Sequence, residues 1–361
     1  MKERVLRIFQ NVSEKVDAIV LANDIEPNLD MSFYYATGVE SGIFEQCAVV
    51  LWPDGRSQLF TSFLEETSAL ASGSEVKVYK KSAERDKMLE SSLKGVERVG
   101  ISGAGLTYRM MQELRKWTDA EVVDIWRAVE AARMIKDEVE MENLRTACSI
   151  ASKVGERLPS ILKAGMTEVE AAAEINYLMQ RNGASAPSFA TNASFGPSSA
   201  EPHHSPGGER LKAGDTVLFD YGALFRRYGS DVTRTFFFGK ASKKQRRMYE
   251  VVLEAQLAGI EAIHAGANGK DVDSAAREII DASEFKGLFI HSLGHGIGLS
   301  VHDGGRMAPD LDLTLKENMV LTVEPGVYLR GEGGVRIEDD IRVTRKGCEV
   351  LSSAPKELMV V

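Results

Sequence analysis

The chain has 361 residues and a formal net charge of −9, with 43% hydrophobic and 27% charged residues. This composition is typical of a globular protein of two domains, and the acidic balance argues against partners such as nucleic acid or a membrane surface. Charges interrupt the first residues, and no run of about 18 apolar residues occurs. We therefore expect neither a secretory signal peptide nor a transmembrane helix.

The three cysteines, Cys47, Cys148 and Cys348, are odd in number and far apart. Such spacing gives neither a disulfide framework nor a CxxC zinc site, so we expect buried, reduced thiols. A reducing compartment fits this usage, and the sequence predicts a cytoplasmic protein.

Short apolar runs alternate with helical stretches in the first third of the chain. We predict strands at 17–21, 46–52, 58–61, 76–79 and 98–102, and helices at 88–93 and 108–117. This alternation predicts an α/β domain over residues 1–130. It contains no cluster of His, Asp and Glu at ligand-like spacing, so we expect it to serve structure, assembly or one wall of a site.

The pattern changes near residue 130. Apolar residues at three- and four-residue intervals predict one long helix over 131–158, and Thr167 with Glu170 predicts a capping box that starts another. Segment 184–210, rich in Ser, Ala, Pro and Asn, is predicted as a loop. Beyond it we predict strands at 216–222, 234–239, 319–328, 335–343 and 349–351, and helices at 243–264 and 272–282.

Five candidate metal ligands lie in this second region, each in or beside an apolar or β-prone stretch. They are Asp220 in TVLFDYG, Asp231 in GSDVTRT, His295 in HSLGHGIGL, Glu324 in LTVEPGVY and Glu338 in GVRIEDD. Buried carboxylates are costly without a partner, and four in one pocket repel one another. Two divalent cations would balance their charge, and this donor set suits Mn, Co, Fe or Zn. Such a pair of ions lowers the pKa of a shared water and holds a peptide carbonyl for attack.

Taken singly, each of these residues has an ordinary alternative. A strand-end Asp is usually a cap or a solvated residue, a Glu before Pro-Gly usually begins a turn, and a His beside glycines is usually a satisfied polar residue. Their occurrence together, in five distinct contexts, favours the metal site. The glycines of GHGIG could also indicate a dinucleotide loop, but GxGxxG and a suitably placed acid are both missing.

The ordered blocks FDYGALFRRYGSDVTRT, HSLGHGIGLSVHD, VLTVEPGVYL and GVRIEDD resemble those of the M24 metallopeptidases, a family that includes methionine aminopeptidase, aminopeptidase P and prolidase. The resemblance implies an α+β pita-bread (creatinase/aminopeptidase) catalytic domain over 131–361, with a curved antiparallel sheet flanked by helices. Through SFYYATGVES, the first domain resembles the creatinase/prolidase N-terminal domain more loosely. Methionine aminopeptidases usually lack that domain.

The resemblance implies a role for each ligand. Asp220 would chelate one metal ion, Asp231 and Glu338 would bridge two ions, and His295 with Glu324 would complete the second. Glu324 would also act as general base on the attacking water.

The same resemblance implies roles for three further histidines. His203 and His302 would contact the scissile peptide and donate to charge that develops in the transition state, and His291 would lie at the edge of the site. For His204, the neighbour of His203, we expect an ordinary solvated loop residue.

The resemblance also suggests how substrate is bound. Arg306, in the loop GGRMAPD, would grip the free carboxylate of a dipeptide as a prolidase arginine does, although a solvated surface arginine is an equal alternative. Arg336 would hold either the site or the substrate, and Phe189 would line an apolar proline pocket. Two departures from the family concern substrate preference: Asp303 replaces the usual Glu after His302, and Arg226 with Arg227 replaces the more usual Gly before the Tyr.

The implied function is hydrolysis of Xaa-Pro dipeptides by a homodimer that associates through its N-terminal domain. The nearest alternative is aminopeptidase P, which acts on longer peptides. A non-catalytic pita-bread binding module and a creatinase-like amidinohydrolase are alternatives of other classes. The intact set of five ligands argues against both.

Overall fold

The computed structural model describes residues 1–361, which divide into two compact units, Met1–Arg133 and Met134–Val361. None of the helices combines the length and apolar character needed to cross a bilayer.

The first unit is a mixed β-sheet with helices. Its strands are β1 Ala18–Ala22, β2 Ala48–Leu51, β3 Ser57–Ser62, β4 Glu75–Tyr79, β5 Arg98–Ile101 and β6 Glu121–Asp124. Its helices are α1 Lys2–Asn11, α2 Met31–Thr37, α3 Glu66–Leu70, α4 Ser82–Ser92, α5 Tyr108–Trp117 and α6 Trp126–Met134, which ends at the division between the units.

The strand order is β4-β3-β2-β1-β5-β6, with β1 antiparallel to β2 and parallel to β5. Every residue of β1 is apolar and buried, as is typical of a central strand that is covered on both faces. Val20 packs in one cluster with Phe60, Leu114 and Trp117. This arrangement confirms the predicted α/β class of the first domain.

The second unit combines helices with several short antiparallel sheets. Its helices are α7 Glu138–Gly155, α8 Leu158–Ile161, α9 Glu168–Arg181, α10 Lys243–Glu261 and α11 Gly269–Asp281. Its strands are β7 Ala186–Pro187, β8 Asn192–Phe195, β9 Thr216–Tyr221, β10 Ala223–Phe225, β11 Tyr228–Gly229, β12 Val232–Phe237, β13 Gly294–His295, β14 Arg306–Met307, β15 Val320–Val323, β16 Gly326–Leu329, β17 Gly333–Arg336, β18 Asp339–Val343 and β19 Cys348–Val350.

Two apolar cores support these sheets. In one, α7 and α9 pack against β8, β9 and β12, and in the other, α10 and α11 pack against the strands from β15 to β18. The α+β class predicted for the second domain is confirmed.

The long helix predicted over 131–158 is wrong, because α6 ends at Met134 and α7 begins at Glu138. Between them, Ile135 forms a β-bridge with Met319. Asp137 then accepts a hydrogen bond from the backbone N–H of Glu140 and forms a capping box with it. The cap satisfies the free N–H groups at the start of α7, so a new helix can begin at Glu138. The apolar residues keep a helical spacing on both sides of the break, and this spacing therefore does not reveal it. The capping box predicted at Thr167 and Glu170 is confirmed.

Three other predicted segments differ from the structure. Residues 319–328 form two strands that break at Glu324 and Pro325, since proline has no N–H for a ladder. Residues 335–343 also form two strands, which break at Ile337 and Glu338. The predicted loop 184–210 contains β7 and β8. Among the cysteines, which are all free, Cys47 and Cys148 are buried as predicted, whereas Cys348 is only half-buried.

Candidate metal centre

Strand alternation turns the predicted ligands away from the helices. In β9, Phe219 and Tyr221 pack in the core beneath α7 and α9, so Asp220 between them points to the opposite face. In the same way, Leu321 and Val323 of β15 enter the core beside α10, which leaves Glu324 on the other side. In both cases the apolar neighbours enter a core, and the carboxylate lies on the side away from it.

The five predicted ligands come from five separate segments and converge. Ligand atoms of Asp231, His295 and Glu338 all lie within 4.8 Å of one another. His295 Nε2 is 3.4 Å from Glu324 Oε1 and 3.8 Å from Asp231 Oδ2. The charge of Asp220 contributes to raising the pKa of Asp231, Glu324 and Glu338. Tertiary folding therefore assembles all five around one space.

The side chains in this space fit divalent cations. Oδ1 of Asp220 and Oδ1 of Asp231 are buried and accept no hydrogen bond, which is costly for a carboxylate unless a cation or donor meets it. His295 Nδ1 donates to the Gly296 carbonyl at 3.1 Å, so Nε2 presents its lone pair to the carboxylates. Four carboxylates and one correctly oriented imidazole form a hard donor set.

The electrostatics of the pocket also favour cations. Burial, reinforced by neighbouring carboxylates, holds the pKa of Asp231 and of Glu338 well above the usual range. Burial likewise raises the pKa of Glu324 to about 7, although the nearby guanidinium of Arg336 opposes this rise. One arginine cannot neutralise four carboxylates, so the pocket stabilises protons or metal ions.

Arg336 orients the ligands rather than presenting its guanidinium to solvent. The side chain is buried and donates from Nη2 to Asp220 Oδ2 (2.7 Å), from Nε to Thr233 Oγ1 (3.0 Å) and from Nη1 to the Tyr328 hydroxyl (2.9 Å). Thr233 in turn donates to Glu338 Oε2 at 2.6 Å. Of the two roles predicted for Arg336, these contacts favour holding the site.

His291 lies at the end of this network, where it contacts the Tyr328 hydroxyl through Nε2 at 2.9 Å. Burial, with help from Arg336, lowers the pKa of His291 to about 4, so its ring is neutral at physiological pH. Because Nδ1 donates to the Ser292 carbonyl, Nε2 accepts the hydrogen bond from Tyr328. His291 therefore fixes the hydroxyl that accepts from Arg336.

Sequence reasoning missed several supporting residues. Asp340 is fully buried and accepts from the Asp231 backbone N–H (2.9 Å) and from the Cys148 thiol (3.2 Å). Thr233 and Tyr328 complete the network around Arg336. The one available signal was that these three residues lie close to predicted ligands in the motifs GSDVTRT, VEPGVYL and GVRIEDD. Which side chain each of them contacts depends on pairing between distant strands.

The two histidines predicted to contact the scissile peptide, His203 and His302, are both exposed to solvent. The ring centroids of His302 and His295 are 4.2 Å apart, in an edge-on arrangement. His203 interacts electrostatically with Glu324, His291 and His302. Both imidazoles can therefore meet a substrate that approaches the ligand cluster.

The two remaining predicted substrate residues lie on nearby segments. Arg306 of β14 pairs opposite His295 in the β13–β14 ladder, and its exposed guanidinium is 3.3 Å from the Asp310 carboxylate. Phe189 is half-buried on the segment that leads into β8. Asn192 of β8 lies opposite Asp220.

The prediction for His204 is wrong. It is not a solvated loop residue, because its side chain is only 17% exposed and its Nε2 donates to the buried carboxylate of Glu168 at 2.8 Å. No signal in the sequence indicated this pair. Glu168 is far from His204 in the chain, and it resembles an ordinary acidic residue in the first turn of a helix.

Comparison with known proteins agrees with this geometry. Residues 142–345 match the family model of "Metallopeptidase family M24", and residues 6–135 match that of the "Creatinase/Prolidase N-terminal domain". The chain is 36% identical to an Xaa-Pro dipeptidase of Pyrococcus horikoshii over 99% of both chains.

Among solved structures, an Xaa-Pro dipeptidase from Bacillus anthracis has a TM-score of 0.92 at 34% identity and covers 99% of both chains. An X-Pro aminopeptidase from Thermotoga maritima has a TM-score of 0.90 at 31% identity, with 98% of this chain and 100% of that chain covered. The fold, the convergence of the ligands and these matches lead to one conclusion: the chain belongs to metallopeptidase family M24 and carries a creatinase/prolidase N-terminal domain.

Proposed function

We propose that the chain is a two-metal dipeptidase that hydrolyses Xaa-Pro dipeptides. The observation that carries this proposal is the convergence of four carboxylates and His295 in one pocket, with two buried carboxylate oxygens that accept no hydrogen bond. The similarity to proteins named Xaa-Pro dipeptidase over 99% of the chain supports the substrate class.

Asp220, Asp231, His295, Glu324 and Glu338 would hold two divalent ions, drawn from Mn, Co, Fe and Zn. When bound, such ions act as Lewis acids on the peptide carbonyl and acidify water. Asp231 and Glu338 are the most deeply buried of the carboxylates. Their burial suits them to binding a cation in place of a proton.

Protein groups would carry the proton and stabilise the developing charge. Glu324, with a pKa of about 7 in the absence of metal, would accept the proton of the attacking water and return it to the leaving proline nitrogen. His203 and His302 would donate to the oxygen on which negative charge develops. The proline nitrogen has no N–H in the substrate, so the site requires no acceptor for it.

Arg306 would select dipeptides by binding their free C-terminal carboxylate. Its backbone pairs with that of the ligand His295, and its exposed side chain is held only by an exposed carboxylate, Asp310. A surface pair of this kind is weak, so a substrate carboxylate can replace it. A longer peptide places its C-terminus elsewhere and would lose this contact.

The distinguishing experiment compares Ala-Pro with Ala-Pro-Ala, using protein treated with a chelator and then resupplied with Mn or Co. We expect metal-dependent cleavage of Ala-Pro, little cleavage of the tripeptide, and a rise in KM of about tenfold in Arg306→Ala. Arg345→Ala, which removes an arginine that is exposed near Glu317, is the control.

Two other outcomes would replace this proposal. Preference for the tripeptide would indicate aminopeptidase P, an alternative supported by the similarity to the Thermotoga maritima X-Pro aminopeptidase. Absence of cleavage with every metal would favour a non-catalytic binding module.

We also propose that the enzyme is a cytoplasmic homodimer that associates through its first unit. Phe63, Leu64 and Leu70 of that unit are 60%, 90% and 67% exposed, and exposed apolar groups of this kind often mark an interface. The three free thiols are compatible with a reducing compartment. Sedimentation of the wild type and of Leu64→Glu measures the association: we expect a dimer and a monomer, respectively.

A further inference from the structure

The loop that carries His203 has little regular structure to hold it. No helix or strand lies between Ala200, which ends the 3-10 helix Gly196–Ala200, and Thr216. His203 is exposed on this segment, and it contributes to lowering the pKa of His302 and opposes the rise in the pKa of Glu324. An exposed imidazole on such a loop would sample many positions unless its neighbours were fixed. The contacts on either side of His203 therefore decide how well it is placed.

One neighbour of His203 is attached to the sheet that carries a ligand. The Pro202 carbonyl accepts a hydrogen bond from Asn192 Nδ2 at 3.2 Å. Asn192 lies in β8, directly opposite Asp220 of β9. This contact relates the loop to the strand of Asp220. After His204 the loop is also held to the start of α9, because the backbone N–H groups of Val169 and Glu168 donate to the carbonyls of Gly207 and Glu209, each at 3.2 Å.

The other neighbour, His204, is attached to a buried carboxylate. His204 Nε2 donates to Glu168 Oε2 at 2.8 Å, and the Glu168 side chain is fully buried. Glu168 also accepts from the backbone N–H of Phe195 at 2.9 Å and of Gly207 at 2.9 Å. Glu168 therefore joins helix α9, the end of β8 and both His204 and Gly207 of the loop.

The energetics favour a rigid attachment. A buried carboxylate with three donors has a fixed orientation, and the loss of any one donor leaves charge poorly compensated. His204 cannot leave Glu168 for water without this cost. The second contact of its ring, 3.4 Å from the exposed carboxylate of Glu201, is peripheral.

We infer that His204 and Glu168 are a positioning pair that fixes His203 toward the ligand cluster. His204 does not touch the reacting atoms and acts through His203. The inference rests on the proposed function insofar as His203 contacts the substrate. The geometry of the pair itself does not depend on that function.

The kinetic test is a double-mutant cycle on holoenzyme with Ala-Pro as substrate. We expect His204→Ala to lower kcat about tenfold with little change in KM, since a misplaced group is lost mainly from the transition state. His204→Gln, which keeps an N–H near the Nε2 position, should recover most of this loss. In a His203→Ala background, His204→Ala should change kcat less than about twofold.

An equal loss in both backgrounds would overturn the inference, because His204 would then act independently of His203. So would full activity in His204→Ala. His264→Ala is the matched control, since His264 is exposed and its Nδ1 donates to the carbonyl of the adjacent Ala265. Equal metal content and an unchanged far-UV circular dichroism spectrum among the variants would exclude a general loss of structure.

A second readout does not depend on activity. The chain has 6 histidines, so selective ring labelling gives a simple NMR spectrum, in which His203→Ala identifies the His203 signal. We expect one narrow His203 signal in the wild type, and a broadened or split signal in both His204→Ala and Glu168→Gln. An unchanged His203 signal in His204→Ala would overturn the inference even if the protein hydrolysed no Xaa-Pro peptide. If only the proposed function failed, the wild type would still show the narrow His203 signal and the two variants would still show it broadened or split.

Discussion

Lys136 and Asp303 form a buried ion pair next to a predicted substrate histidine. Their side chains are 1% and 5% exposed, and Lys136 Nζ lies 3.6 Å from Asp303 Oδ2. Asp303 follows His302 directly, and its Oδ2 also accepts from the Leu299 N–H at 3.1 Å. The shorter Asp at this position therefore still anchors the turn that presents His302.

Lys136→Met should destabilise the protein by about 3 kcal/mol, because it removes the cation and leaves the buried carboxylate. Urea unfolding measures the change. Adding Asp303→Asn to Lys136→Met should recover part of the loss, since the remaining group is then neutral. A change below about 0.5 kcal/mol in Lys136→Met would contradict this account of the pair.

At the scale of elements, the ligand-bearing strands depend on close backbone approach. A Cβ at Gly294 would lie 1.9 Å from the carbonyl oxygen of Thr322, so no larger residue fits between β13 and β15. This contact places His295 next to Glu324. The His295 N–H donates to Thr322 Oγ1, which in turn donates to Glu324 Oε1.

Gly294→Ala should separate these strands and weaken metal binding at least tenfold, about 1.4 kcal/mol, because His295 moves with its strand. Isothermal titration of metal-free protein with Mn measures the affinity. Gly347→Ala is the matched control: nothing lies within 4 Å of the position that its methyl group would take, and its affinity should equal that of the wild type. Unchanged Mn affinity in Gly294→Ala would show that the close approach does not set the site.

At the scale of the whole molecule, the carboxylate cluster links stability to pH and metal. Burial holds the pKa of Asp231, Glu324 and Glu338 above their ordinary values of 3.8, 4.5 and 4.5. The metal-free folded state therefore binds protons more tightly than the unfolded state does. Stability gained from these groups rises as pH falls through the folded pKa values, and it is lost as pH rises through them.

Bound metal replaces those protons, so the stabilisation by Mn should be large near pH 8 and small near pH 5.5. Melting temperatures with Mn and with chelator at both pH values measure the difference. Asp231→Asn, which removes one of the titrating carboxylates, should reduce the pH dependence of the metal-free protein. A Mn effect that grows toward pH 5.5 would contradict the assignment of these carboxylates as ligands.

Local sequence signals determined much of the fold. Apolar, β-prone runs identified strands such as β9, and the carboxylate at the end of that run, Asp220, was recognised as a candidate ligand. Capping chemistry correctly located the start of α9. The same local reasoning failed between α6 and α7, because an apolar helical period does not record the β-bridge of Ile135 to distant Met319.

The sequence by itself determined which residue types the site contains, since the motifs name four carboxylates and one imidazole. Only the tertiary structure decided which partners hold them: Arg336 on Asp220, Asp340 behind Asp231, and Glu168 beneath His204. The physical reason is that a motif is a local feature of the chain, whereas a hydrogen-bond partner depends on the pairing of segments far apart in the chain.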